Sequence, residues 1–115
     1  MSQTARVERE PIPPGTLDML ILTIVARDGE LHGFEIAEAI QRGSNEVLRV
    51  EEGSLYPALQ RMLMKGWIAG TWMRTPENRR ARYYKLTALG RKQLDREVES
   101  YRRVAFAIDR ILQPA

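Results

Sequence analysis

Residues 52–86 read EGSLYPALQRMLMKGWIAGTWMRTPENRRARYYKL. Leu55, Leu59, Met62 and Leu63 recur at helical spacing and Gly66 supplies a stop, so the pattern predicts a helix from about Glu52 to Lys65. Pro57 is tolerated only close to the first turn, where amides lack intrahelical partners, and it places the helix start within a residue or two of Gly53. Trp67 to Arg74 then alternates like a strand, with Ile68 and Trp72 on one face. Arg82 to Leu86 reads as a second strand. The stretch between them, Thr75-Pro76-Glu77-Asn78-Arg79-Arg80, is rich in turn residues. A helix running straight into a hairpin with a basic tip is the expected result.

The preceding residues predict two more helices. Thr16 can cap the first, with Asp18 in its first turn, and Leu17, Leu20, Ile21, Ile24 and Val25 form its apolar stripe. Asp28-Gly29 ends it. Glu30-Leu31-His32 is a short extended piece. The second helix runs from about Phe34 to Arg42, with Phe34, Ile36, Ala37 and Ile40 inward and Gly43 as its stop. Ser44 to Val50 loops back to the core through Val47, Leu48 and Val50. Residues 1–15, with Pro11, Pro13 and Pro14, form an extended arm, disordered or laid on a partner.

After the hairpin, Thr87 can cap a last helix. Leu94, Val98, Tyr101, Ala105, Ile108 and Leu112 are spaced alternately four and three apart, close to three heptads. The stripe is longer than a small core needs, which favours packing against the same helix of a second subunit. The expected fold is mainly α with a small β-hairpin. It comprises an arm (1–15), a winged helix-turn-helix domain (16–86) and a long C-terminal dimerisation helix (87–115).

Charge follows the same division. The 115 residues carry a formal net charge of +3. Residues 1–73 hold seven basic and ten acidic side chains, net −3, and residues 93–115 hold four of each. Residues 74–92 hold seven basic and one acidic, net +6. That concentration is the footprint of a polyanion contact. Such charges on a strand edge also oppose aggregation.

A helix ahead of such a hairpin enters the major groove by its N-terminal part. Amides near Gly53 and Ser54 are placed to receive a phosphate. Ser54 and Tyr56 can bond phosphates or base edges, and Gln60 and Arg61 suit adenine and guanine. Lys65 fits a backbone contact. Glu51 and Glu52 oppose phosphate and are expected to point away. In the wing, Arg74, Arg79, Arg80, Arg82 and Lys85 can follow the sugar-phosphate edge or enter a minor groove.

Three separated motifs now stand in order: Leu31-His32-Gly33-Phe34-Glu35-Ile36; Glu52-Gly53-Ser54-Leu55-Tyr56-Pro57-Ala58-Leu59; and Arg82-Tyr83-Tyr84-Lys85-Leu86-Thr87-Ala88-Leu89-Gly90. From about Gly15 onward the chain resembles the PadR family of repressors. The resemblance implies a winged-helix homodimer that represses nearby genes, often released by a small ligand such as a phenolic acid or a drug. Carried over, the family's DNA contacts fall on Ser54, Tyr56, Pro57 and Arg61, and the wing contacts on Arg79, Arg80 and Arg82. Larger members have a longer C-terminal domain. The single terminal helix here matches the short subclass.

Other classes are excluded or disfavoured. With no cysteine, thiolate and disulfide chemistry is absent. His32, the one histidine, reads as structural, since a metal site needs several ligands. Neither an acid/base cluster nor a phosphate loop appears, so neither an enzyme nor a cofactor is expected. The apolar runs are too short for a bilayer and Met1 to Arg6 lacks an apolar leader stretch, so no membrane partner and a cytoplasmic location are expected. Trp67 and Trp72 read as hairpin core rather than as a pocket for a flat ligand. Of Tyr83 and Tyr84, alternation with Leu86 turns Tyr84 inward. The rival to a DNA-binding regulator is a winged-helix module that binds another protein; the basic wing and Arg61 argue against it. The partners expected are double-stranded DNA, a second copy of the chain and a small-molecule effector.

Overall fold

Helix α1 (Leu17–Asp28) is the axis of the fold. The computed structural model describes residues 9–114, and in it α1 touches every later helix and the sheet. Met19, Ile21, Leu22, Ile24 and Val25 are all buried. A single stripe was expected, but a helix wrapped on several sides buries most of its circumference, so Met19 and Leu22 go inside while Leu17 and Leu20 stay partly covered. Thr16 stands at the N-cap without capping, because its hydroxyl donates instead to the Pro13 carbonyl at 2.7 Å.

Ahead of α1, β1 (Glu10–Pro11) pairs in parallel with β3 (Leu48–Arg49), and Ile12 packs on the core. The described part of the arm therefore lies on its own subunit, fixed further by an Arg9–Glu46 ion pair of 3.1 Å. Residues 1–8 of the expected arm lie outside the described residues.

Strand β2 (Leu31–His32) leads directly into α2 (Gly33–Gly43). A reciprocal cap makes the junction: the Glu35 amide donates to His32 Nδ1 at 3.3 Å, and Glu35 Oε1 accepts from the His32 amide at 3.1 Å. This is the structural role expected for His32. Ile36, Ala39 and Ile40 carry the buried face. Phe34, expected inward, is 62% exposed, because the buried arc is centred on Ile36 and Ile40 and the helix start points toward the hairpin tip. Val47, also expected in the core, is exposed, whereas Leu48 and Val50 pack on it.

Helix α3 (Glu52–Met64) buries Leu55, Ala58, Leu59 and Met62. The helix starts at Glu52, within a residue of Gly53 as expected, and Pro57 is its sixth residue, just past the first turn. Its missing amide leaves the carbonyl of exposed Gly53 to water, which is how the helix continues through it.

Strands β4 (Ile68–Arg74) and β5 (Arg80–Leu86) form the hairpin, with Ile68 opposite Leu86, Trp72 opposite Arg82 and Arg74 opposite Arg80. Strand β2 adds to the free edge of β5, giving the order β2-β5-β4. The core-side residues at the hairpin root are Ile68 and Tyr84.

Thr87 ties this root to α4 (Ala88–Leu112). Its hydroxyl donates to the Gly66 carbonyl at 2.6 Å and accepts from the Gly90 amide at 2.9 Å. In α4, Leu94 is buried in the subunit and Val98 packs on the same core. Beyond them the helix projects outward. The radius of gyration is 16.2 Å, against about 13 Å for a compact domain of roughly 100 residues.

Candidate nucleic-acid interface

The four residues opposite the buried side of α3 are Gly53, Pro57, Gln60 and Met64, all exposed. Met64, at 86% exposure, was missed by sequence reading although it lies four residues after Gln60 on the same ridge. Ser54 and Tyr56 flank the ridge and are also exposed. The Ser54 amide is not free for phosphate: it donates to the Glu51 carbonyl at 3.0 Å. Tyr56 lies against α2, and a Cβ at Gly33 would come within 2.9 Å of its ring. Glycine there is what lets α2 and α3 approach.

Two cationic side chains at the C-terminal end of α3, Arg61 and the cap residue Lys65, have intramolecular partners. Arg61 Nη2 is ion-paired with Asp18 Oδ1 of α1 at 2.5 Å. Lys65 Nζ lies 4.9 Å from the Trp67 ring centroid. The bases of the expected reading face are thus held to one side, while Pro57, Gln60 and Met64 are unobstructed.

In the hairpin, strand pairing sorts the arginines. Opposed residues share a face, so Arg74, Arg80, Arg82 and Trp72 stand together, continuous with Tyr84 at the root. Trp72 is 54% exposed, contrary to the expected core role. Beyond the root this face is open at Trp72, Arg74 and Arg80. Arg74 Nη1 donates to the Asn78 carbonyl at 3.0 Å, which holds it to the turn. Arg79 and Arg80 line a groove between the tip and the start of α2, beside Phe34, Glu35 and Glu38.

Tyr83 and Tyr84 are both buried, where only Tyr84 was expected inward. The second cover comes from β2: the His32 ring meets Tyr83 edge-on, centroids 5.1 Å apart. Burial pushes both phenols above their ordinary pKa; Glu35 and Glu77 add to the rise at Tyr83, while Arg82 opposes it at Tyr84.

The projecting half of α4 exposes a second surface. Tyr101, Val104, Ile108, Ile111 and Leu112 are open to solvent, with Ala105 half-buried among them. Leu94 was assigned to an interface with a partner, but it is only 5% exposed and is consumed by its own subunit. Val98 is largely so. Val104 and Ile111, seven apart, extend the stripe on the flank of Ile108 and were missed because the strict four-three pattern skips them.

Comparison with known proteins decides what this arrangement is. Residues 21–96 match the Transcriptional regulator PadR-like family, a span from α1 into the first third of α4. This chain belongs to the PadR-like family. A PadR-like transcriptional regulator of Bacillus cereus is 30% identical, with a TM-score of 0.73 over 88% of this chain and 95% of its own. A transcriptional regulator of Clostridium thermocellum is 25% identical, with a TM-score of 0.78 over 86% of this chain and 95% of its own. An uncharacterised protein of Lysinibacillus sphaericus is 28% identical over 105 residues, 91% of this chain and 95% of its own length. This PadR-like chain is therefore a winged-helix, DNA-binding transcription regulator, and its family and structural relatives are regulators rather than enzymes. No helix among the described residues is long and apolar enough to cross a membrane.

Proposed function

We propose that this PadR-like regulator is a cytoplasmic repressor that binds an inverted-repeat operator as a homodimer. The observation that carries the reading is the exposed ridge of α3 standing beside a wing whose arginines begin a segment, residues 74–92, of net +6. In this reading Pro57, Gln60 and Met64, flanked by Ser54 and Tyr56, enter the major groove. Arg74, Arg80 and Arg82 grip the adjacent backbone or minor groove, with Arg79, Arg61 and Lys65 at the margins. The stripe Tyr101, Ala105, Ile108, Leu112 of α4 joins the two subunits, which spaces the reading helices about 34 Å apart, one turn of DNA. Release by a small aromatic ligand belongs to the same reading. A cleft of about 460 Å³ lined by Thr16, Asp18, Arg61 and Tyr101 is in the size range of small-molecule sites and touches α3 through Arg61.

The test is binding of purified protein to the DNA upstream of its own gene, against a scrambled duplex, at two salt concentrations. Sequence-preferring binding that weakens with salt, with a symmetric footprint, is expected. No binding to either duplex in low salt would remove the reading.

A further inference from the structure

Two arginines of the wing converge on one exposed aromatic ring. The Arg80 guanidinium carbon lies 4.7 Å from the Trp72 ring centroid and that of Arg82 lies 5.9 Å from it. Both distances are in the range where a cation is drawn to the negative face of an indole. Arg82 is directly opposite Trp72 in the ladder, and Arg80 is the next residue on the same face. Two like charges held side by side repel each other, and among the described residues neither makes an ion pair with a carboxylate; the shared indole face is a contact that attracts both.

The backbone beneath is cut to fit. Gly70 precedes Trp72 by two residues on the same face of β4. A Cβ at Gly70 would stand 2.5 Å from Arg82 Nε and 3.2 Å from its guanidinium carbon. Glycine in a strand interior usually marks such a close approach. Among the described residues, Arg82 Nε is buried with no hydrogen-bond partner. Packing between Gly70 and Trp72, not a hydrogen bond, therefore sets the direction of this side chain.

We propose that Trp72 is a positioning residue of the wing: a platform that, with the slot at Gly70, holds Arg80 and Arg82 extended as one preset pair of charges for duplex DNA. The inference rests on the DNA-binding reading above and adds a residue to it. A mobile arginine loses rotamer entropy when it grips a phosphate. An arginine already stacked has lost that freedom before binding, so the platform strengthens the contact without itself touching DNA.

The first test needs no DNA. In the full-length protein the side-chain Hε and Hδ resonances of Arg80 and Arg82 should be displaced by the indole ring current. They should return toward ordinary values in Trp72→Ala and stay displaced in Trp72→Phe. Ordinary shifts in the unaltered protein would overturn the platform. The second test measures affinity for a random-sequence duplex by fluorescence anisotropy. Trp72→Ala should weaken binding about 3- to 30-fold, the range of one cation–π contact. Trp72→Phe should recover part of the loss, and Gly70→Ala should weaken binding through Arg82 alone. Arg80→Ala should cost less in the Trp72→Ala background than in the unaltered protein. Binding by the unaltered protein with Trp72→Ala unchanged, or with strictly additive losses, would overturn the platform and leave the DNA reading standing. No binding to any duplex by the unaltered protein would overturn the DNA reading itself.

Discussion

Arg61 shows how a single side chain changes meaning once its neighbours are known. Its spacing on α3 suits a base or phosphate contact, yet its guanidinium is ion-paired with Asp18 of α1. The pair is half-exposed on the arginine side, so it is worth at most about 1 kcal/mol and can open. Tyr83 shows the opposite case: it is buried against His32 on the face away from the core, while Tyr84 takes the inward place its alternation predicts. Each phenol titrates above its ordinary value in the folded chain. The neutral form is the one the fold accepts, so the associated stability is complete below a pH of about 10, the ordinary tyrosine pKa. It is lost as pH climbs from there through the raised folded values. Denaturant titrations at pH 8 and at pH 11 should show this alkaline loss, and Tyr83→Phe with Tyr84→Phe should flatten it. An equal alkaline loss in the double variant would assign it to other groups.

At the scale of elements, the wing is the clearest case of pairing register deciding chemistry. Arg79 and Arg80 are adjacent in sequence and both border a groove that also holds Glu35 and Glu38, but Arg80 in addition stacks on Trp72. Replacing both with alanine should weaken binding similarly across DNA sequences and lower the slope of log affinity against log salt by up to about 2. Separated, Arg80→Ala should account for most of that loss, because Arg80 stands with Arg74 and Arg82 on the Trp72 face. Anisotropy titrations of the single variants at several salt concentrations check this. Equal losses from the two would mean that the tip, not the Trp72 face, meets the phosphates.

For the whole molecule, α4 has two jobs divided along its length. Its first half completes the subunit core through Leu94 and Val98, and its second half carries an apolar stripe that the described residues leave exposed. Leu94→Ala should therefore destabilise the subunit itself, by about 2–5 kcal/mol as for other buried leucines. In the proposed dimer, Ile108→Glu should leave the helical circular dichroism of the subunit intact but shift sedimentation to the monomer and weaken operator binding sharply. A folded dimer in that variant would remove Ile108 from the seam.

The order of helices and strands, the basic hairpin and the length of α4 are all legible in the sequence. They depend on local spacing, on caps such as Thr87 and on turn residues such as those from Thr75 to Asn78. Placement around α1 is not legible, because a helix enclosed on several sides buries Met19 and Leu22 as well as its expected stripe. Nor is the exposure of Phe34 and Trp72, since amphipathic periodicity says which residues share a face but not whether anything covers it. The candidate interface divides the same way. Its residues are named by local pattern, while the Asp18–Arg61 pair, the Trp72 platform over Gly70 and the withdrawal of Leu94 into the subunit join segments far apart in the chain. Only tertiary packing brings such segments within contact distance, and contact distance is where ion pairing, stacking and burial act.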